Sequence, residues 1–289
     1  MERMRLRGTR QFCLRRTIVK AQGKTIVVTG GGNGIGRELV LILLAKGARV
    51  AAVDISEAGL AETVVKAGAN ADRLSTHALS ITDRISVEAL PESVMAKHGQ
   101  IDGLINCAGI IQPFVRLKDL EYEAIERVMN VNFWGVVYMT KTFLPILLGR
   151  PVAHVVNISS MGGFCPVPGQ TIYGASKAAV KLLTEGLYAE CIGTNVKVTI
   201  AFPGAIATDI SKNSGVGPGK DEAMADGKAP KFKMTAPVDA AQMIVDAMER
   251  DAFRVMVGSD AAMLDKLARI APKKAAEVIQ KQMKDLLPD

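Results

Sequence analysis

Short runs rich in Val and Ile alternate along the chain with longer stretches whose apolar positions follow a helical period. Residues 24–29 (Lys-Thr-Ile-Val-Val-Thr), 49–53, 104–106, 152–158, 196–202 and 254–257 read as strands. Apolar runs of this kind fit strands covered on both faces of a parallel sheet. Between them the pattern predicts helices over 34–46, 57–67, 86–98, 119–147, 173–192 and 239–250. Strand and helix alternate, so the predicted fold class is α/β, a Rossmann-type doubly wound parallel sheet in a single domain over 23–258. Beyond residue 258 two more helices, split at Pro272, form a C-terminal helical appendage over 259–289. No internal repeat is present. The one compositional break, at about 205–235, is rich in Gly, Lys, Ala and Pro. A loop of that length in a compact domain is expected to be a functional lid or a linker.

Composition adds little until the charge is located. The chain has 289 residues, 48% hydrophobic and 22% charged, enough to bury a sizeable core. Its +7 net charge lies entirely in residues 1–24, where eight basic residues face Glu2 alone; the remainder holds 28 basic and 28 acidic residues. Residues 1–22 are therefore expected to be a basic extension of a neutral body. They lack the apolar core of a secretory signal, and a transit-like segment or a weak nucleic-acid or membrane-surface arm are the other readings. The neutral body itself predicts no nucleic-acid partner. No stretch approaches 18 uninterrupted apolar residues, so no membrane span is expected. The cysteines (Cys13, Cys107, Cys165, Cys191) are scattered and His77, His98 and His154 share no ligand spacing. Neither a metal site nor a disulfide framework is expected, and a reduced cytoplasm is the expected location.

Two constellations carry chemistry. Residues 29–36, Thr-Gly-Gly-Gly-Asn-Gly-Ile-Gly, follow a predicted strand and open a predicted helix. Gly30, Gly34 and Gly36 allow a tight turn and close approach to a pyrophosphate, which the helix's free N–H groups and dipole would favour. Asp54 closes the second strand, where a carboxylate accepts from ribose hydroxyls and repels a 2′-phosphate. No Arg or Lys follows it immediately, and Asn33 rather than a basic residue precedes Gly34, so NAD is expected over NADP. The second constellation is Tyr173 and Lys177, one helical turn apart, with Ser160 after a buried strand. A phenol of ordinary pKa about 10 is a poor base near neutrality, and a neighbouring ammonium lowers it.

In these motifs the chain resembles the short-chain dehydrogenase/reductase family, in its compact single-domain branch, from about residue 24 to residue 208. The resemblance implies a cofactor turn at Gly30, Gly32, Asn33, Gly34, Ile35 and Gly36, with Asp54 and Ile55 at the adenosine end. It implies a sheet-supporting motif near that end at Asn106, Ala108 and Gly109. Pro203, Gly204, Ile206 and Thr208 match the segment that contacts the nicotinamide. Asn132, Ser160, Tyr173 and Lys177 match the catalytic positions. On that basis Tyr173 is the general acid/base and Ser160 orients the substrate oxygen. Lys177 binds the nicotinamide ribose and lowers the tyrosine pKa, and Asn132 holds a water that links Lys177 to solvent. Ser159 rivals Ser160, but the spacing to Tyr173 favours Ser160. Where the family commonly has an Asp that contacts adenine after its third strand, this chain has Ser80.

The expected activity is NAD-dependent interconversion of a secondary alcohol and its ketone. A 3-oxoacyl thioester reductase and a non-catalytic NAD(H) sensor are the alternatives. Ile110, Ile111, Gln112 and Pro113, the segment from Met161 to Gln170, and the lid are the candidate substrate pocket. Met161, Phe164 and Val167 would make it apolar, with Gln112 or Gln170 as polar handles, and the lid lysines could attract an anion. The resemblance also implies a homotetramer or homodimer through the helices at 119–147 and 173–192, with Phe133, Trp134 and Tyr138 compatible with an interface.

Overall fold

The computed structural model describes residues 20–217 and 234–282. Most of the basic extension (1–19) and the middle of the lid (218–233), with Lys220, Lys228, Lys231 and Lys233, lie outside the described residues.

Seven parallel strands form one sheet in the order β3-β2-β1-β4-β5-β6-β7. They are β1 (Thr25–Thr29), β2 (Arg49–Asp54), β3 (Leu74–Ala78), β4 (Gly103–Asn106), β5 (Ala153–Ile158), β6 (Val196–Pro203) and β7 (Arg254–Val257). Every residue of β1, β4 and β5 is buried, as strands covered on both faces must be. β3 is the strand the apolar pattern misses. Its Leu-Ser-Thr-His-Ala has a single apolar anchor at Leu74, because it lies at the sheet edge, paired on one side only with β2.

Helices cover both faces. Ile26, Val28, Val50 and Ala52 point to a layer made by α1 (Gly34–Ala45), α2 (Glu57–Ala67) and α8 (Pro237–Glu249), the last of which follows the one-turn α7 (Ile210–Asn213). Val27, Ala51, Val53 and Val155 point the other way, onto α3 (Arg84–His98), α5 (Gly135–Leu148) and α6 (Thr171–Glu190). The alternation follows from successive side chains leaving opposite faces of a strand. α3 starts two residues before its predicted position because Asp83 caps it, accepting from the N–H groups of Ile85 and Ser86.

The helix predicted over 119–147 begins later and is not uniform. Leu117–Asp119 is a separate short turn, α4 spans Tyr122–Met129, and Asn130–Trp134 form a π-turn before α5. This whole segment, Tyr122–Leu148, is long and apolar enough by length and composition to cross a membrane. In the fold its Val136, Met139, Phe143 and Leu147 are buried in the core beneath the sheet.

At the N-terminus the body starts slightly earlier than residue 23. Ala21 is fully buried and its N–H donates to Glu249. At the other end α9 (Ser259–Ile270) and α10 (Pro272–Gln282) break at Pro272. Leu264, Ala275 and Ile279 of this pair form a small core with Cys165, against which Met161, Phe164 and Val167 pack.

Candidate active site

Strand order reverses between β1 and β4, and open α/β sheets bind ligands in the crevice at such a switch point. A cavity of about 970 Å³ opens there. It is lined by the glycine turn, Asp54, Ala108, Gly109, Ser160, Tyr173, Lys177 and the turn after β6. Every predicted cofactor residue lines it except Asn106. That side chain is buried beneath, where its amide donates to Thr140 Oγ1 (3.1 Å) and Asn157 Oδ1 (2.8 Å) and ties β4 to β5 and α5.

The glycine turn is shaped by close approach. A Cβ on Gly36 would sit 2.0 Å from the Gly30 carbonyl oxygen, so no other residue fits. Asp54 receives the N–H groups of Gly32 and Ser56, each at 2.9 Å, and this holds the carboxylate beside the turn. Sequence reading missed the strut behind it. Arg37 is almost fully buried and donates to both oxygens of Glu62 at 2.8 Å, to Thr63 Oγ1 at 3.1 Å, and to the Gly32 carbonyl. Thr63 in turn donates to the Gly31 carbonyl at 2.9 Å. The turn's outward carbonyls are thus satisfied by α1 and α2, leaving its concave side to a ligand. These residues fit a dinucleotide, with Gly30, Gly32, Gly34 and Gly36 at the pyrophosphate and Asp54 and Ile55 at the adenosine end.

The other end of the cavity is built on β5 and α6. Ser160 follows β5 and its Oγ accepts the Gly162 N–H at 3.0 Å. Tyr173 lies in the first turn of α6 and lines the same cavity as Ser160, whose hydroxyl favours the ionised phenol. Ser159 is used otherwise: its Oγ donates to the Lys177 carbonyl at 2.7 Å. Both serines line the cavity, but the Ser159 hydroxyl is committed to the backbone of α6. Lys177 Nζ donates to the Ile158 carbonyl at 3.1 Å and lies 5.9 Å from the centre of the Tyr173 ring.

Asn132 is fully buried and does not line the cavity. Its Oδ1 accepts the Ile110 N–H and its Nδ2 donates to the Ile110 carbonyl, both at 2.9 Å, and to Ser176 Oγ at 3.0 Å. Ser176 donates onward to the Tyr173 carbonyl at 2.7 Å. Asn132 thus clamps the loop after β4 onto the helix that carries Tyr173 and Lys177. It sits in the π-turn, a local widening that often marks functional helices.

Burial sets the ionisation of the pair. Desolvation lowers Lys177 from the ordinary 10.5 to about 8. Desolvation also raises Tyr173 above 10, an effect the Ser160 hydroxyl only partly offsets. A tyrosine lowered by Lys177 was expected from the sequence; in this geometry the phenol sits above its ordinary value because burial outweighs its neighbours.

The substrate-side expectations divide. Ile110 and Ile111 line the cavity. Met161, Phe164, Val167, Gln112 and Gln170 do not. The first three pack against α9 and α10, and both glutamines are buried. Gln112 Oε1 accepts the N–H groups of Ile172 (2.8 Å) and Tyr173 (3.0 Å), capping the first turn of α6. Gln170 donates to the Gln112 carbonyl at 2.7 Å. The missed lining residues include Arg127 and Ser214. They are joined by an Arg127 bond to the Ser214 carbonyl at 2.8 Å, while Ser214 Oγ accepts the Ile111 N–H at 3.0 Å. The first part of the lid is thereby fastened over the cleft. Its two described ends meet where the Thr235 N–H donates to the Ala205 carbonyl at 2.9 Å and the Ala207 N–H to the Thr235 carbonyl at 3.0 Å.

A switch-point cleft with a phosphate-shaped turn and a Ser-Tyr-Lys-Asn cluster defines a nucleotide-dependent oxidoreductase of the doubly wound class. Residues 24–217 match the short chain dehydrogenase family, and the chain belongs to that family. It is 39% identical over 252 residues to the protein SadH of Mycobacterium tuberculosis, covering 86% of this chain and 91% of the relative. It is 34% identical over 229 residues to the 3-oxoacyl-[acyl-carrier-protein] reductase FabG of Thermotoga maritima, covering 78% and 91%. Among solved structures, a short chain dehydrogenase/reductase from Burkholderia phymatum in complex with NAD superposes with a TM-score of 0.78 at 25% identity, covering 89% of this chain and 95% of that one. A short chain dehydrogenase from Burkholderia cenocepacia in complex with NADP reaches 0.73 at 27% identity, covering 90% and 99%.

Proposed function

We propose that the protein is an NAD-dependent oxidoreductase that interconverts a secondary alcohol and its ketone. The observation that carries this reading is the convergence of Ser160 and Tyr173 on one cavity with Lys177, beside a turn made for a pyrophosphate. The nicotinamide would accept or supply the hydride. Ser160 orients the reacting oxygen, and Tyr173 donates a proton to it in reduction or takes one in oxidation. Lys177, with a pKa of about 8, exchanges protons near neutrality from behind Tyr173, and Asn132 holds its helix in register. The preference for NAD rests on Asp54, whose carboxylate would repel a 2′-phosphate. Ile110, Ile111, Val131 and Ile210 suit a largely apolar substrate.

A second reading, reduction of a 3-oxoacyl thioester, is favoured by the likeness to the Thermotoga reductase. A cofactor sensor without turnover has no need of the complete Ser-Tyr-Lys-Asn set. For assembly we propose a homodimer or homotetramer through the helices around Trp134 and Leu182. Trp134 is 44% exposed and stacks on Tyr138 at 5.9 Å, and Leu182 is 69% exposed. The free Cys107, Cys165 and Cys191 suit a reducing cytoplasm.

The test is the initial rate of NADH formation over secondary alcohols, diols, hydroxysteroids and 3-hydroxyacyl thioesters, with NADP and Tyr173→Phe in parallel. The reading expects turnover with NAD that disappears in the variant. Turnover that survives Tyr173→Phe sinks the mechanism, and faster turnover with NADP sinks the cofactor assignment.

A further inference from the structure

The turn after β6 supplies Pro203, Gly204, Ile206 and Thr208 to the cavity wall. Its backbone is fastened from behind by Gly204 N–H to the Val257 carbonyl at 2.9 Å and by the two bonds to Thr235. Among the described residues, one side chain joins them: Asp260 Oδ2 accepts the Ala205 N–H at 2.7 Å. Asp260 stands in the first turn of α9, where a carboxylate is favoured by the helix dipole. It does not line the cavity.

The surroundings are cut to admit this carboxylate. A Cβ on Gly204 would lie 2.3 Å from both Asp260 oxygens, and one on Gly258 would lie 2.5 Å from Oδ1. Gly258 also has φ +102, which side-chain-bearing residues rarely adopt. Two glycines on separate segments thus leave room for one acid. One turn further along the same face of α9, Leu264 is buried in the small core on which Met161 and Phe164 pack, just after Ser160. The same helix therefore braces both the turn after β6 and the segment after the catalytic serine.

We propose that Asp260 is a positioning residue for the dinucleotide, holding the turn of residues 203–208 at the nicotinamide end of the cleft. The C-terminal helix pair is then part of the cofactor site rather than an appendage to it. This rests on the dinucleotide reading above.

The full-length protein tests it without substrate. Dissociation constants for NADH and for ADP-ribose, which lacks the nicotinamide, are measured for wild type, Asp260→Leu, Asp260→Asn and Gly204→Ala. Leucine removes the acceptor, asparagine keeps one oxygen, and the alanine methyl displaces the carboxylate. Asp260→Leu and Gly204→Ala are expected to weaken NADH about tenfold while ADP-ribose stays within about twofold, and Asp260→Asn to restore most of the NADH affinity. NADH affinity unchanged in both Asp260→Leu and Gly204→Ala overturns the proposal. So does an equal loss for NADH and ADP-ribose, which marks general damage. A wild type that binds neither ligand instead overturns the dinucleotide reading itself.

Discussion

Replacing Lys177 with methionine should stabilise the protein while abolishing its activity. The side chain is 4% exposed, and burial lowers its pKa from 10.5 to about 8. Because the folded state holds the proton less tightly than the unfolded chain, folding with a charged lysine is penalised below about pH 8. The penalty fades as pH rises towards 10.5. That interval corresponds to about 3 kcal/mol at pH 7, falling to about 1 kcal/mol at pH 9.5. Methionine has a similar length and no charge, but the bond from Nζ to the Ile158 carbonyl is lost, at about 1 kcal/mol. Lys177→Met is therefore expected to be more stable than wild type by about 2 kcal/mol at pH 7, with the gain nearly gone at pH 9.5. Urea unfolding of both proteins at the two pH values measures this directly, and the pH 7 gain should raise Tm by about 4–8 °C. A variant less stable than wild type at pH 7, or a difference that does not change with pH, would refute the reasoning. Functional groups held in unfavourable surroundings commonly show such a trade of stability for activity.

Other consequences follow from the same geometry. Ser160→Ala should lower kcat about 100-fold by removing the group that orients the substrate oxygen. Ser159→Ala should instead cost about 1 kcal/mol of stability, since its hydroxyl serves the Lys177 carbonyl, and equal kcat losses would contradict that division. Tyr173 sits above its ordinary pKa of 10.0, so its phenol is protonated at neutral pH and ready to donate in carbonyl reduction. Alcohol oxidation needs the deprotonated form, and its kcat should climb continuously from pH 7 to 10; a maximum below pH 8 would show the phenol to be less buried in the working enzyme. Gly36→Ala places a methyl 2.0 Å from the Gly30 carbonyl and should weaken dinucleotide binding more than about tenfold, measured by fluorescence titration.

Helix α6 shows how far local sequence carries and where it stops. Tyr173 and Lys177 are recognisable because a helix places residues four apart on one face, a relation that needs no partner. What supports them is distant. Gln112 caps that helix at Tyr173 from 61 positions away, and Asn132 reaches Ser176 across 44. As separate residues, Gln112 and Gln170 looked like polar substrate contacts, and only their neighbours reveal a cap.

By itself the sequence determined the α/β class and the parallel sheet, and it singled out the glycine turn, Asp54 and the Ser-Tyr-Lys-Asn set as candidates. Each of these is written in periodicity or short spacing, which local backbone geometry obeys. Tertiary structure alone decided four things: the edge strand β3, the π-turn at Asn132, the rise of the Tyr173 pKa, and the reach of Asp260 to a turn 55 positions away. An edge strand needs no two-sided apolar run. Desolvation depends on all the atoms that gather round a group. A contact between distant residues leaves no period along the chain. These features arise when the elements pack together, which is why they can be read only in the folded molecule.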